Sequence, residues 1–407
     1  MSQRNIFSAI DIRSDKIICL IAQELEIINR GKILQLIGIG ISKLPINCIK
    51  PLSLPHVEIS DYIKSAITKA EYEANVKISD VFVSISENMT SEYIDFNIKI
   101  KNNLIEEDHI KDFFRSKLFT GLYTKLKEPL HSFPISHRID NKKSVSDPIG
   151  MKANNLLTKW HIISVSKDYL ELIYKIFLEM DLNLKQIVSS NYSTSLAVLN
   201  EEESDQGAIT IEVQKNKTVL SYTFDGQLIG FDIIRIGTFH FTNDISQIKS
   251  LTLAEAESIR KKIDFFDKDK KKDKELDKYY DIYLSRAEEL TKIISTTVMK
   301  SRFNSLVSNS IILTGYGAKS IIIQKLIKNK FTNSSFRLGS TRKINGSKTF
   351  LDNPSLTSSF GLLSYATNHD LEGETSDENP PKKSILSIIY NLNFANLDKN
   401  LLNLTNY

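Results

Sequence analysis

Apolar and polar positions along the first hundred residues follow two different periods. Unbroken apolar runs occupy 6 to 12, 17 to 22 and 33 to 41 and read as buried strands. From Ile59 the period lengthens: Ile59, Ile63, Ile67 and Ala70 recur at spacings of four, four and three and share one helix face. Lys64, Lys69 and Glu71 fall on the wet side, and Ser60 or Asp61 could cap the helix. Val81 to Ile85 then reads as another strand, which makes the order α/β. Between about 86 and 158 the pattern weakens into a polar stretch with Pro129, Pro134 and Pro148. That break predicts a small subdomain inserted between halves of a first lobe (1–85 and 159–205), whose α/β pattern resumes with the strand His161 to Ser166.

A second lobe begins near 206 with three strand-like runs, followed by helices at about 242 to 263 and 279 to 305. Its core is expected over 206–241 and 310–366, with 242–309 as an outer subdomain. The mixed charge run Asp264 to Lys278 reads as a solvated loop or helix extension. Ser310 to Gly317 is a buried strand ending in a glycine turn, and a helix follows from Ala318. After Ala366 apolar residues thin out, which predicts the end of the folded body and a disordered linker over 367–383. In the tail, 384–407, Leu386, Tyr390, Phe394, Leu397, Leu401 and Leu404 recur at spacings of four, four, three, four and three. An amphipathic helix with that stripe would dock on a membrane surface or a partner, or fold back on its own body.

Composition narrows the function classes. A chain of 407 residues, 41% hydrophobic, can bury two cores. Its 53 basic and 49 acidic residues leave a net charge of +4, and basic residues do not cluster with aromatics, so no nucleic-acid partner is expected. Cys19 and Cys48 each lie in or beside an apolar run and read as core thiols of a reducing compartment. The seven scattered histidines suggest no metal site, and no stretch of about 18 apolar residues could span a membrane. The expected location is the cytosol, or a membrane touched from the cytosolic side.

Residues 206 to 223 read as two strands joined by a tight turn of Gln214, Lys215 and Asn216. A turn that holds phosphate by its backbone amides needs glycine there, because side chains block close approach.

Ala9 to Lys16, Ile37-Gly-Ile-Gly-Ile-Ser42, Ala66 to Val83, Asp147-Pro-Ile-Gly-Met151, Phe241 to Ile245 with Ala256 to Arg260, Leu313 to Ala318 and Asn353 to Leu363 follow one another along the chain. In that order they resemble the FtsA family of bacterial cell-division proteins, within the actin, Hsp70 and sugar-kinase superfamily. The resemblance implies a two-lobed actin-like α/β fold with an inserted small subdomain that self-associates, and a C-terminal helix that binds the inner membrane. It implies a nucleotide site for ATP with Mg2+ from Asp11, Ser14, Lys16, Glu212, Thr218, Gly237, Asp244, Glu257, Arg260, Gly315 and Gly317. Arg13 replaces an expected glycine, and could pair with phosphate or fill the site. The family's second phosphate motif aligns on Glu212 to Val219, where all its glycines are gone and Lys215 and Lys217 remain as candidate phosphate contacts. The implied role is a non-enzymatic scaffold with no catalytic residue, at the division site on the cytoplasmic face of the inner membrane. It would bind the C-terminal peptide of the tubulin-like FtsZ through Arg286, Lys292 and Lys300, membrane lipid through Leu386, Tyr390, Phe394, Leu397 and Leu401, further copies of itself, and later division proteins. The alternatives are an actin-like pilus-assembly adaptor and a phosphotransferase of the sugar-kinase kind.

Overall fold

The computed structural model describes residues 5–27, 31–123, 126–140, 142, 144–267, 273–341 and 344–373. Two compact units are cut at Glu87/Asn88, Ile173/Tyr174 and Ser364/Tyr365. The expected membrane stripe from Leu386 to Leu404 and most of the expected linker lie outside the described residues.

The first unit opens with β1 (Ile6–Ile12), β2 (Lys16–Ile27), β3 (Gly31–Lys43), α1 (His56–Ala74) and β4 (Asp80–Ile85). The second unit supplies β5 (Met89–Lys99), α2 (Glu107–Arg115), α3 (Lys117–Thr120), β6 (Lys127–Ile139), β7 (Ser144–Val145) and β8 (Asn155–Ser166). Helix α4 (Lys167–Glu179) leads back to β9 (Asn183–Ser189), α5 (Ser190–Val198), α6 (Glu201–Gln206), β10 (Ala208–Val213), β11 (Thr218–Phe224) and β12 (Gln227–Ile234). Then come α7 (Thr238–Lys249), α8 (Leu253–Asp264), α9 (Lys274–Lys300), α10 (Asn304–Val307), β13 (Ser310–Gly315) and α11 (Ile321–Lys330). The chain continues through β14 (Ser335–Leu338), β15 (Ile344–Asn345), α12 (Lys348–Leu351) and α13 (Thr357–Gly373).

Two sheets of the first unit repeat one topology. The first runs β15-β3-β2-β1-β4-β9 and the second β12-β11-β10-β13-β14. In each, a three-stranded antiparallel meander pairs its first strand, β1 or β10, in parallel with a later strand. Those first strands sit between two neighbours and read as near-continuous apolar runs, all of β10 and all but the first residue of β1 being buried. Helix α1 packs on β3 at Gly40, where a Cβ would fall on the Ala66 carbonyl oxygen; glycine permits that approach. The helix begins at His56 after Pro55, three residues before the apolar period shows it, so Ser60 is a buried helical residue and not the cap. Glu71 is buried as well, accepting the Ile78 amide at 3.0 Å.

The second unit is one sheet, β5-β8-β6-β7. Leu156, Trp160 and Ile162 of β8 pack with Phe113, Phe114 and Phe119 of α2 and α3. Phe113 stacks on Trp160 at 4.3 Å between centroids, and Phe114 meets that indole edge-on. Strand β8 therefore belongs whole to this unit: Asn155 to Ser166 pairs antiparallel with β5 and β6. The expectation that His161 to Ser166 resumes the first lobe is thus overturned by continuous pairing of Asn155 to Val165 with β5.

Two further expectations are corrected. Helix α13 runs to Gly373, past the expected end of the folded body at Ala366. Asp264 is not solvated: it is 2% exposed, bound to Arg260 at 2.6 Å and to the Tyr283 hydroxyl at 2.7 Å.

Candidate functional site: two facing turns

The repeated topology creates two equivalent turns. Between β1 and β2 the Arg13 amide donates to the Lys16 carbonyl at 3.1 Å; between β10 and β11 the Gln214 amide donates to that of Lys217 at 2.9 Å. Asp11 and Glu212 stand two residues before the respective turns, and both are buried. Arg13, 5% exposed, lies between them: 3.4 Å from Glu212, 3.7 Å from Asp15 and 4.0 Å from Asp11. Its guanidinium also donates to the Ser355 carbonyl at 3.3 Å. Glu212 accepts from the Thr194 hydroxyl at 3.1 Å and Asp11 from the Ser359 hydroxyl at 2.9 Å.

The second turn reaches the other way. Lys215 Nζ donates to the carbonyl oxygens of Ser14 at 3.2 Å, Pro45 at 3.1 Å and Cys48 at 3.0 Å, which engages all three N–H groups of an ammonium. Asn216 Nδ2 donates to the Ile49 carbonyl at 2.9 Å, and Lys217 bonds the Ser86 carbonyl and lies 3.1 Å from Glu87. Carbonyls of the same turn cap α7, Gln214 accepting from the Thr238 amide at 3.0 Å and Lys215 from the Phe239 amide at 2.8 Å. Gly237 is required there, since a Cβ would lie 2.5 Å from both carbonyl oxygens.

Burial governs the ionisation of this cluster. It raises the carboxyls of Asp11 and Glu212 above their ordinary range, against the pull of Arg13. Burial works against the Arg13 charge too, but Glu212, Asp15 and Asp11 outweigh it and hold the proton more tightly. Lys16, bonded to the Ser355 hydroxyl at 3.2 Å, is brought down to about 8, first by burial and then by Arg13 and Lys319 nearby, against Asp15.

The remaining expected nucleotide residues are spent on protein partners. Glu257 is held at about 2: burial pushes it up, and a two-pronged bond from Arg260 with a third from Thr242 overcomes that. Arg260 is fully buried, bonds Asp264 as well, and lies 5.1 Å from the Tyr316 ring. Gly315 and Gly317 flank that tyrosine, with Gly315 at φ 82°. The Thr218 hydroxyl donates to the Ile236 carbonyl at 2.7 Å. Ser14 is buried and offers its carbonyl to Lys215. Asp244 accepts a two-pronged bond from Arg286, at 2.6 and 3.0 Å, and so joins α7 to α9.

These residues do not fit a triphosphate with its divalent ion. One amide–carbonyl bond closes each turn, the Lys215 ammonium is saturated, and a guanidinium stands between the two carboxylates. Lys215 and Lys217, the candidate phosphate contacts, both spend their ammonium groups on protein partners. Among the described residues no group of three or more His, Cys, Asp and Glu is placed to hold a metal ion. Of the expected partner-binding residues, Arg286 is committed to Asp244 and Glu289, while Lys292 and Lys300 on α9 are exposed. Sequence reasoning missed Ser355 and Ser359 as cleft residues and the loop carbonyls of Pro45 and Cys48. The Asn353 to Leu363 segment was a signal for the serines; nothing in the residue types marks the carbonyls.

Comparison with known proteins bears on both units. A family model described as the SHS2 domain inserted in FtsA matches residues 87–164. The chain is 23% identical to cell division protein FtsA of Agrobacterium fabrum over 398 residues, 90% of this chain and 88% of that protein. Against the FtsA of Buchnera aphidicola subsp. Schizaphis graminum it is 25% identical over 390 residues, 89% and 91% of the two chains. Two solved structures share the fold: a PilM-PilN type IV pilus biogenesis complex, TM-score 0.60 at 13% identity over 88% of this chain and 98% of that one, and MreB5 of Spiroplasma citri bound to AMPPNP, TM-score 0.54 at 11% identity over 92% and 99%. The chain is thus similar to FtsA cell-division proteins over about nine tenths of its length, with a match to their inserted SHS2 domain at 87–164 and an actin-like α/β fold.

Proposed function

We propose that this chain is a non-enzymatic scaffold of bacterial cell division. It assembles at the division ring, tethers the FtsZ ring to the cytoplasmic face of the membrane and recruits later division proteins. The observation that carries this reading is the SHS2 match at 87–164 within a chain alike to FtsA proteins over nine tenths of its length. The inserted unit self-associates, the outer subdomain at 242–309 takes the FtsZ C-terminal peptide through exposed cations of α9, and the tail at 384–407 anchors the molecule to lipid.

The likeness to the PilM-PilN complex supports a pilus-assembly adaptor as the second reading, but it is one of fold, whereas the inserted domain favours division. A sugar-kinase activity needs a phosphate cradle and a positioned carboxylate base, and the second turn, Gln214-Lys215-Asn216, without glycine, speaks against it.

A fluorescent fusion to the full chain tests the role. It should form a band at the division site that coincides with FtsZ, and a uniform cytosolic signal would overturn the reading. In a flotation assay with anionic liposomes, deleting 384–407 should move the protein from the lipid fraction to the pellet. Unchanged flotation would remove the anchor from the account.

A further inference from the structure

We propose that the side chains of the two turns close the cleft between the two sheets by themselves, so that the closed arrangement is held without nucleotide. The cross-links run both ways. Arg13 leaves the first turn to pair with Glu212 and the Ser355 carbonyl on the second side. Lys215, Asn216 and Lys217 leave the second turn to bond Ser14, Pro45, Cys48, Ile49, Ser86 and Glu87 on the first.

Two features make this a clasp and not an incidental contact. Every N–H of Lys215 ends on a backbone carbonyl of the opposite side, which fixes the ammonium from three directions. Arg13 is nine-tenths buried with acidic partners on the first strands of both sheets, so drawing it out would leave Glu212 and Asp11 as buried carboxylates without a counter-charge. Opening the cleft breaks both sets together, and an entering polyphosphate would have to displace them while bringing its own negative charge beside Asp11 and Glu212. The chain's cations occupy the place a ligand would need, and the two sheets do not cycle with nucleotide. This inference stands on the turn geometry and does not depend on the division role.

Spin labels on the full chain test it. Lys64 on α1 and Lys328 on α11 are exposed, one on the side of each sheet, and the native Cys19 and Cys48 are buried. In a Lys64→Cys, Lys328→Cys protein the interlabel distance should show one narrow distribution, the same with and without ATP and magnesium. Adding Lys215→Ala should broaden it toward longer distances. If that variant does not fold by circular dichroism, Asn216→Ala, which removes a donor to the same loop, carries the comparison. A distribution that is broad in the parent protein and narrows on adding ATP and magnesium would overturn the clasp. So would a folded Lys215→Ala or Asn216→Ala protein with the parent's distribution.

Discussion

The guanidinium of Arg13 lies 3.4 Å from the carboxylate of Glu212, joining the turn of one sheet to the first strand of the other. Both groups are buried, so breaking the pair from one side is costly. Arg13→Met should lower unfolding free energy by roughly 3–5 kcal/mol in a denaturant titration, because Glu212 and Asp11 lose their counter-charge. Arg13→Met combined with Glu212→Met should recover part of that loss. A double-variant loss equal to the sum of the Arg13→Met and Glu212→Met losses would show that the pair is not coupled.

The inserted domain should be acid-sensitive. His131 is buried beside Phe133, and burial, then neighbouring His161, brings its imidazole down to about 3. The unfolded chain takes up this proton near the ordinary value of about 6.5, so stability is complete above that pH. It falls as the pH drops through the window from about 6.5 to about 3, by up to about 1.4 kcal/mol per unit. His131→Phe should flatten that dependence when unfolding is followed by the fluorescence of Trp160, the lone tryptophan. An unchanged slope would place the acid sensitivity on another group.

Gly40→Ala puts a methyl on the Ala66 carbonyl of α1. The helix must lift from β3, and the expected loss is about 1–3 kcal/mol, read as a lower melting temperature. A melting temperature equal to the parent's would mean that the helix shifts at no cost.

Exposed Lys292 and Lys300 separate peptide binding from stability in a way Arg286 cannot, since Arg286 holds α7 to α9 through Asp244. Lys292→Glu with Lys300→Glu should weaken an FtsZ C-terminal peptide several-fold by fluorescence anisotropy, about 1 kcal/mol, with the melting temperature kept. Undiminished affinity would place the peptide on another face.

Much of the fold was legible because burial writes a period into the chain. The Ile59 to Ala70 stripe and the apolar runs of β1 and β10 are direct consequences of packing on one or both sides. The boundary at 158 was misplaced because Thr158 and Lys159 interrupt the apolar pattern of β8 without interrupting its pairing. At the site, the lost glycines pointed to a changed phosphate turn, and Arg13 was visible as a side chain that could fill it. The partners of Lys215 were not visible. They are backbone carbonyls 201, 170 and 167 residues away, and a carbonyl carries no residue signature.

Calorimetric titration of the full chain with ATP and magnesium tests the self-filled cleft most directly. The account predicts no saturable heat and no rise in melting temperature at millimolar ATP. Saturable micromolar binding would contradict it, and such a ligand at a hundredfold excess over its Kd would stabilise the protein by about 2.7 kcal/mol.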